Sequence, residues 1–123
     1  MFQTLKTHQT SQYAFYRIPK ELISNPRYKK LSTDAKLLYT MMLDRTELSA
    51  KNNWVDKSGD VYIYFTVSNV RELLCCSKGK AISLLAELDR QKGIGLIERK
   101  KQGCGKPDRV YVKDFMSDTN YQQ

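Results

Sequence analysis

Apolar residues recur at helical spacing in three places along this chain and cluster in short runs in three others, and this pattern predicts its elements. Ala35, Leu38, Tyr39 and Met42 carry the helical period after Ser32, which is suited to cap a helix start. Asp34 lies in the first turn, where negative charge suits the helix dipole, and Arg45 closes the last. Thr66 caps a second helix whose Val67, Val70, Leu73 and Leu74 face inward. After a tight turn at Cys75-Cys76, Ser77 caps a third helix reaching Lys92, with Ala81, Leu84, Leu85 and Leu88 as its apolar stripe. Gly93-Ile-Gly95 ends that helix with glycine where a left-handed backbone is needed. Two β-prone runs, Leu96 to Lys101 and Arg109 to Lys113, flank the turn-rich segment Gln102 to Asp108. Asn53 to Asp56 and Val61 to Phe65 flank Lys57-Ser-Gly-Asp60 as a further hairpin, and Val61 to Phe65 is expected to join the later strands in a three-stranded sheet. Lys20 to Leu31 reads as a short helical turn and a loop around Pro26. Helix, tight turn, helix and basic hairpin define an α+β winged helix-turn-helix with a small antiparallel sheet.

Charge gives this architecture a direction. The chain has 123 residues and a net charge of +8. Between Ser77 and Lys113 lie ten Lys/Arg against four Asp/Glu, so six of those net charges sit on the third helix and the hairpin after it. The helix face opposite the apolar stripe carries Gly79, Lys80, Ser83, Ala86, Glu87 and Arg90. Small residues let a helix sink into a groove, and Lys and Ser reach phosphates or base edges. An ordinary solvated helix face would also fit that pattern; the basic hairpin beside it favours an anionic polymer.

The flanks are divided as follows. Residues 1–12 are expected to form a mobile N-terminus and residues 13–115 the winged-helix domain, with residues 116–123 a linker-like tail toward a further domain. Tyr13, Phe15 and Tyr16 form an aromatic arm that either packs back onto the domain or buries its rings in a second subunit. No apolar run reaches membrane-spanning length and no signal-peptide core opens the chain, so a cytoplasmic location is expected.

Catalytic chemistry has little to work with. The one histidine, His8, lies in the polar N-terminus. Cys75, Cys76 and Cys104 lack metal-ligand spacing, and neither a phosphate loop nor HExxH occurs. Nucleases that nick DNA through a tyrosine need a metal held by clustered histidines, so the eight tyrosines read as structural or stacking residues. The expectation is a binding module without metal or cofactor, and not an enzyme.

Several segments together resemble the N-terminal domain of the RepA_N family of plasmid replication initiators from Gram-positive bacteria. They are Phe15-Tyr-Arg-Ile-Pro19, the run from Tyr28 to Tyr39, the run from Leu43 to Asp56, Gly59-Asp-Val-Tyr62, Phe65-Thr66, Ser77-Lys-Gly-Lys-Ala81, Gly95-Leu-Ile97, the run from Gln102 to Pro107, and Val110-Tyr-Val112. Asn69 departs from the acidic residue that often completes the capping box there, which would weaken that cap. The resemblance implies a winged helix that binds repeated origin sites as a homodimer and controls copy number. It also implies a further domain that engages host replication proteins. On the residues themselves, Lys80 and Ser83 are candidates for base edges, with Ser77 and Gly79 beside them at the start of the helix. Lys78 and Arg90 are candidates for phosphate, Lys100, Lys101, Lys106 and Arg109 for the flanking backbone, and Thr66 and Asn69 for phosphate from the preceding helix. A winged-helix transcriptional repressor, or a protein-interaction winged helix docking an acidic partner, would use the same surface.

Overall fold

The computed structural model describes residues 1–9 and 13–117. The expected mobile N-terminus therefore falls partly, and the expected tail largely, outside the described residues. Residues 1–8 are exposed, with a single 3-10 turn at Thr7–Gln9. The ordered elements are α1 (Lys20–Ser24), α2 (Thr33–Lys51), α3 (Val67–Leu74), α4 (Lys78–Leu88), β1 (Ile97–Lys100) and β2 (Arg109–Val112), with a 3-10 turn at Pro26–Tyr28 before α2. This is the winged-helix arrangement: α2 and α3 both pack on α4, and the β1–β2 hairpin closes the core.

The apolar periods did their expected work. Leu38, Tyr39 and Met42 of α2, Val70 of α3, and Ala81, Leu84, Leu85 and Leu88 of α4 are all buried in one core with Ile63, Ile97 and Val110. Ser32 caps α2 by accepting from the Ala35 N–H at 3.1 Å, and Ser77 caps α4 by accepting from Lys80 N–H at 3.1 Å. Leu73 corrects the expected inward face of α3, for it is exposed while Leu74 packs on the core.

Other boundaries moved for tertiary reasons. α2 does not stop at Arg45 but runs to Lys51. The Arg45 guanidinium lies 4.9 Å from the Phe65 ring centroid, so this residue packs sideways instead of ending the helix. α4 ends at Leu88, not Lys92. Asp89 turns extended and bridges Ile97, and the Arg90 N–H donates to the Ile97 carbonyl at 2.9 Å, which takes the backbone out of the helix. Gly95 is left-handed at φ 89°, but it lies seven residues past Leu88 and shapes the turn into β1, so it is not the helix stop expected of it. Gly93 is required for another reason, since a Cβ there would fall on the carbonyls of Glu87 and Ala86.

The third strand is reduced to one antiparallel bridge. Ile63 and Val110 exchange N–H···O bonds of 2.9 and 2.8 Å, while β1 and β2 pair fully from Ile97–Val112 to Lys100–Arg109. The hairpin before it is likewise a single bridge, Val55–Val61, closed by the Asp56 N–H on the Asp60 carbonyl. The capping box of α3 is complete despite Asn69. Asn69 Oδ1 accepts from the Thr66 N–H at 2.9 Å, and Thr66 Oγ1 from the Asn69 N–H at 3.1 Å. An amide oxygen serves here as a carboxylate would.

Two phenols tie the chain after β2 to the core. Tyr28 Oη donates to the Phe115 carbonyl at 2.9 Å, and Tyr39 Oη donates to that of Lys113. Burial pushes the Tyr39 phenol well above its ordinary 10.0 and raises Tyr28 as well. A folded pKa above the unfolded one gives stability that is full below the unfolded value and is lost as pH rises through the folded one. Urea unfolding at a series of pH values should therefore show the margin of the native protein over Tyr39→Phe holding below about pH 10 and shrinking progressively above it. An unchanged margin would mean that the phenol ionises alike in both states.

Candidate nucleic-acid interface

The exposed half of α4 is its first two turns. Lys78, Gly79, Lys80, Ile82 and Ser83 face outward, whereas Ala86 and Glu87 farther along are half-buried. Apart from its chain neighbours and the helix's own backbone, no atom lies within 4 Å of where a Gly79 Cβ would stand, so the fold has no steric need of glycine there. Its small size instead opens the helix surface to whatever approaches from outside. Ile82, 47% exposed, escaped the reading from sequence. An apolar residue one step past the stripe looks like core, and only the helix rotation reveals it.

One joint seats this helix, and a looser surface pair lies beside it. The Glu87 carboxylate accepts from the Ser32 N–H and from Ser32 Oγ, both at 2.8 Å, joining the body of α4 to the cap of α2. Lys80 Nζ lies 3.3 Å from Asp34, with both side chains about half exposed. A surface pair of that kind contributes little, so Lys80 can leave Asp34 for a phosphate or base at small cost.

The other candidates separate into groups. Ser77 caps α4, and Thr66 and Asn69 cap α3, each through a side-chain oxygen that accepts a backbone N–H, which leaves their O–H and amide N–H groups to donate outward. Arg90, expected on the outer face of α4, lies beyond the helix end and pairs with Glu98 at 3.3 Å. Lys101 and Lys106 are exposed in the loop between the wing strands. Lys100 and Arg109 turn instead onto the outer face of the sheet, 4.9 Å over Tyr111 and 4.3 Å over Tyr62. The wing is pinned to α4 by Arg99, whose Nε and Nη2 donate to Asp89 Oδ2 at 3.2 and 2.7 Å. Tyr13, Phe15 and Tyr16 of the arm are exposed, with Tyr13 and Phe15 edge to face at 6.3 Å. Cys75, Cys76 and Cys104 are free thiols, and Cys75 takes the left-handed position in the turn between α3 and α4. Among the described residues no group of three or more His, Cys, Asp or Glu is placed to hold a metal, and no helix is long and apolar enough to cross a membrane.

The family profile described as the N-terminus of replication initiator protein A, RepA_N, matches residues 14–123. The chain belongs to the RepA_N family. It is 36% identical over 110 residues to a 41 kDa protein of Lactobacillus helveticus, a match that takes in 85% of this chain and 30% of that relative. Three solved structures share this RepA_N fold, each at 32% identity. One, described as the N-terminal domain of a DNA binding protein, superposes with a TM-score of 0.71 over 93% of this chain and 85% of its own. A second, described as a Rep–DNA complex, gives 0.71 over 91% and 84%. The third, described as an MDR initiator, gives 0.69 over 91% and 86%.

Proposed function

We propose that this RepA_N domain binds double-stranded DNA sequence-specifically at repeated sites of a plasmid origin, acting as a homodimer to initiate and control replication. The observation that carries the reading is the exposed start of α4, small and basic, backed by a wholly buried stripe and fixed by Glu87 and Arg99. The relative described as a Rep–DNA complex supports it. In this mechanism the first two turns of α4 enter the major groove, with Lys80 and Ser83 on base edges and Lys78 on phosphate. Lys101 and Lys106 clamp the flanking backbone from the wing loop. The exposed arm of Tyr13, Phe15 and Tyr16 is the proposed seat of the second subunit. Host replication proteins are the proposed partners of a further domain.

The test is binding to a labelled duplex carrying candidate origin repeats, against a scrambled duplex, over a salt series. A preference of about 10³ or more is expected, with log K falling by roughly 0.9 per phosphate contacted for each unit of log salt. Lys80→Ala should cost about 1–3 kcal/mol and relax preference at one base position, while Lys106→Ala should weaken all duplexes alike. Equal, weak and salt-labile binding to both duplexes would leave only a basic surface and sink the reading.

A further inference from the structure

The outer face of the wing sheet carries a feature that duplex reading does not use. Strand alternation sends Ile63, Phe65 and Val110 into the core and Tyr62, Tyr64 and Tyr111 to the opposite face. Trp54, from the short hairpin, completes the group. Its ring centroid lies 6.2 Å from Tyr62 and 5.8 Å from Tyr64, and Tyr62 and Tyr64 are 5.7 Å apart. These rings form one continuous wall and do not fill a core. Trp54 is 44% exposed and Tyr62 and Tyr64 are half-buried, whereas Tyr111 lies beneath at 7%.

The wall is bordered by cations held in place. Arg109 stacks on Tyr62, and its Nε donates to Gln102 Oε1 at 3.1 Å. Gln102 Nε2 in turn donates to Tyr64 Oη at 3.2 Å, and Lys100 lies over Tyr111. Two carboxylates adjoin the wall. Asp56 is engaged by the N–H groups of Ser58 and Asp60 and by Tyr111 Oη, and Glu98, opposite Tyr111 in the strand register, is paired with Lys113 at 3.0 Å and Arg90 at 3.3 Å.

We propose that this face is a second nucleic-acid site, a stacking platform for an unpaired DNA strand, with Trp54 and Tyr64 taking bases and Arg109 and Lys100 taking phosphates. Exposed rings interleaved with fixed cations suit a strand whose bases are free to stack and whose backbone is anionic. A duplex does not fit, because its base faces are covered by their neighbours. A second copy of this chain would add another chain of net charge +8 to this cationic border, and like charge opposes that approach. The site shares no residue with the exposed start of α4, so it stands apart from the duplex reading.

The chain has one tryptophan, so its fluorescence reports on this wall alone. Titration with a single-stranded oligothymidylate of about twelve nucleotides should quench Trp54 saturably, and inorganic polyphosphate at equal charge should not. In anisotropy with labelled DNA, Trp54→Ala should weaken strand binding by about tenfold or more and leave duplex binding within about twofold. Trp54→Phe, which keeps a ring, should retain most strand binding and guards against a folding artefact. Lys80→Ala should do the reverse, impairing duplex and sparing the strand. Absence of quenching, equal quenching by polyphosphate, or parallel loss of strand and duplex in Trp54→Ala would overturn the proposal. So would Trp54 emission that shifts with protein concentration in the absence of DNA, which would assign the wall to a second copy. Loss of sequence preference on duplexes with strand binding intact would sink the duplex reading alone.

Discussion

Gly93→Ala should cost the domain about 3 kcal/mol or more, a large effect for one methyl group. The added Cβ would fall on the Glu87 carbonyl carbon and oxygen and on the Ala86 oxygen, all of them backbone atoms. Side chains can rotate away from an intruder; this backbone cannot. The Gly93 N–H donates to Asp89 at 2.8 Å and the Ile94 N–H to Glu87 at 2.9 Å, so relieving the clash breaks the turn that closes α4. In urea the unfolding midpoint should fall sharply with little change in slope, and the melting temperature should drop by about 10 °C or more. A loss below about 1 kcal/mol would show that the turn relaxes freely. Gly79→Ala is the matched contrast. With open space around that position, alanine should leave stability equal or raise it by up to about 1 kcal/mol.

Arg99→Met is the second large effect. Asp89 is 7% exposed and receives both Arg99 N–H groups on a single oxygen. Methionine keeps much of the volume and removes the charge, leaving a buried carboxylate without its cation. The expected loss is about 2–4 kcal/mol, at the lower side of buried pairs because the Arg99 side chain is 28% exposed. The double variant Asp89→Asn with Arg99→Met should recover part of that loss, since no bare charge is then buried. Equal stability of the single and double variants would mean that the carboxylate finds solvent on its own. Duplex affinity offers a second readout. Loosening this pair frees the wing from α4, so binding should fall further than the stability loss accounts for.

The helices were legible because their information is local. Ser32, Thr66 and Ser77 each cap where a hydroxyl precedes an apolar period, and Leu84, Leu85 and Leu88 could hardly face anywhere but inward. What the chain concealed depends on partners far along it. The end of α4 is decided by Ile97, eight residues after Asp89, and the seat of α4 by Ser32, fifty-five residues before Glu87. Periodicity carries no trace of either. The fate of Lys100 and Arg109 was hidden in the same way. Both read as wing charges until the strand register sets them over Tyr111 and Tyr62. Asn69 looked like a weakened cap because the acid was missing, but the hydrogen bond asks only for an oxygen at the right place.

The joint between Ser32 and Glu87 also makes α2 a strut. Its first turn is fastened to α4, and near its far end the Ser49 carbonyl accepts the Trp54 N–H at 3.0 Å. The seventeen residue steps from Ser32 to Ser49 set these two anchor points roughly 25 Å apart along a stiff axis. Neither end can approach the other without bending five turns of hydrogen-bonded backbone. DNA gripped at both places would thus meet a fixed gauge: the molecule sets the span, and the nucleic acid must curve or open to fit it.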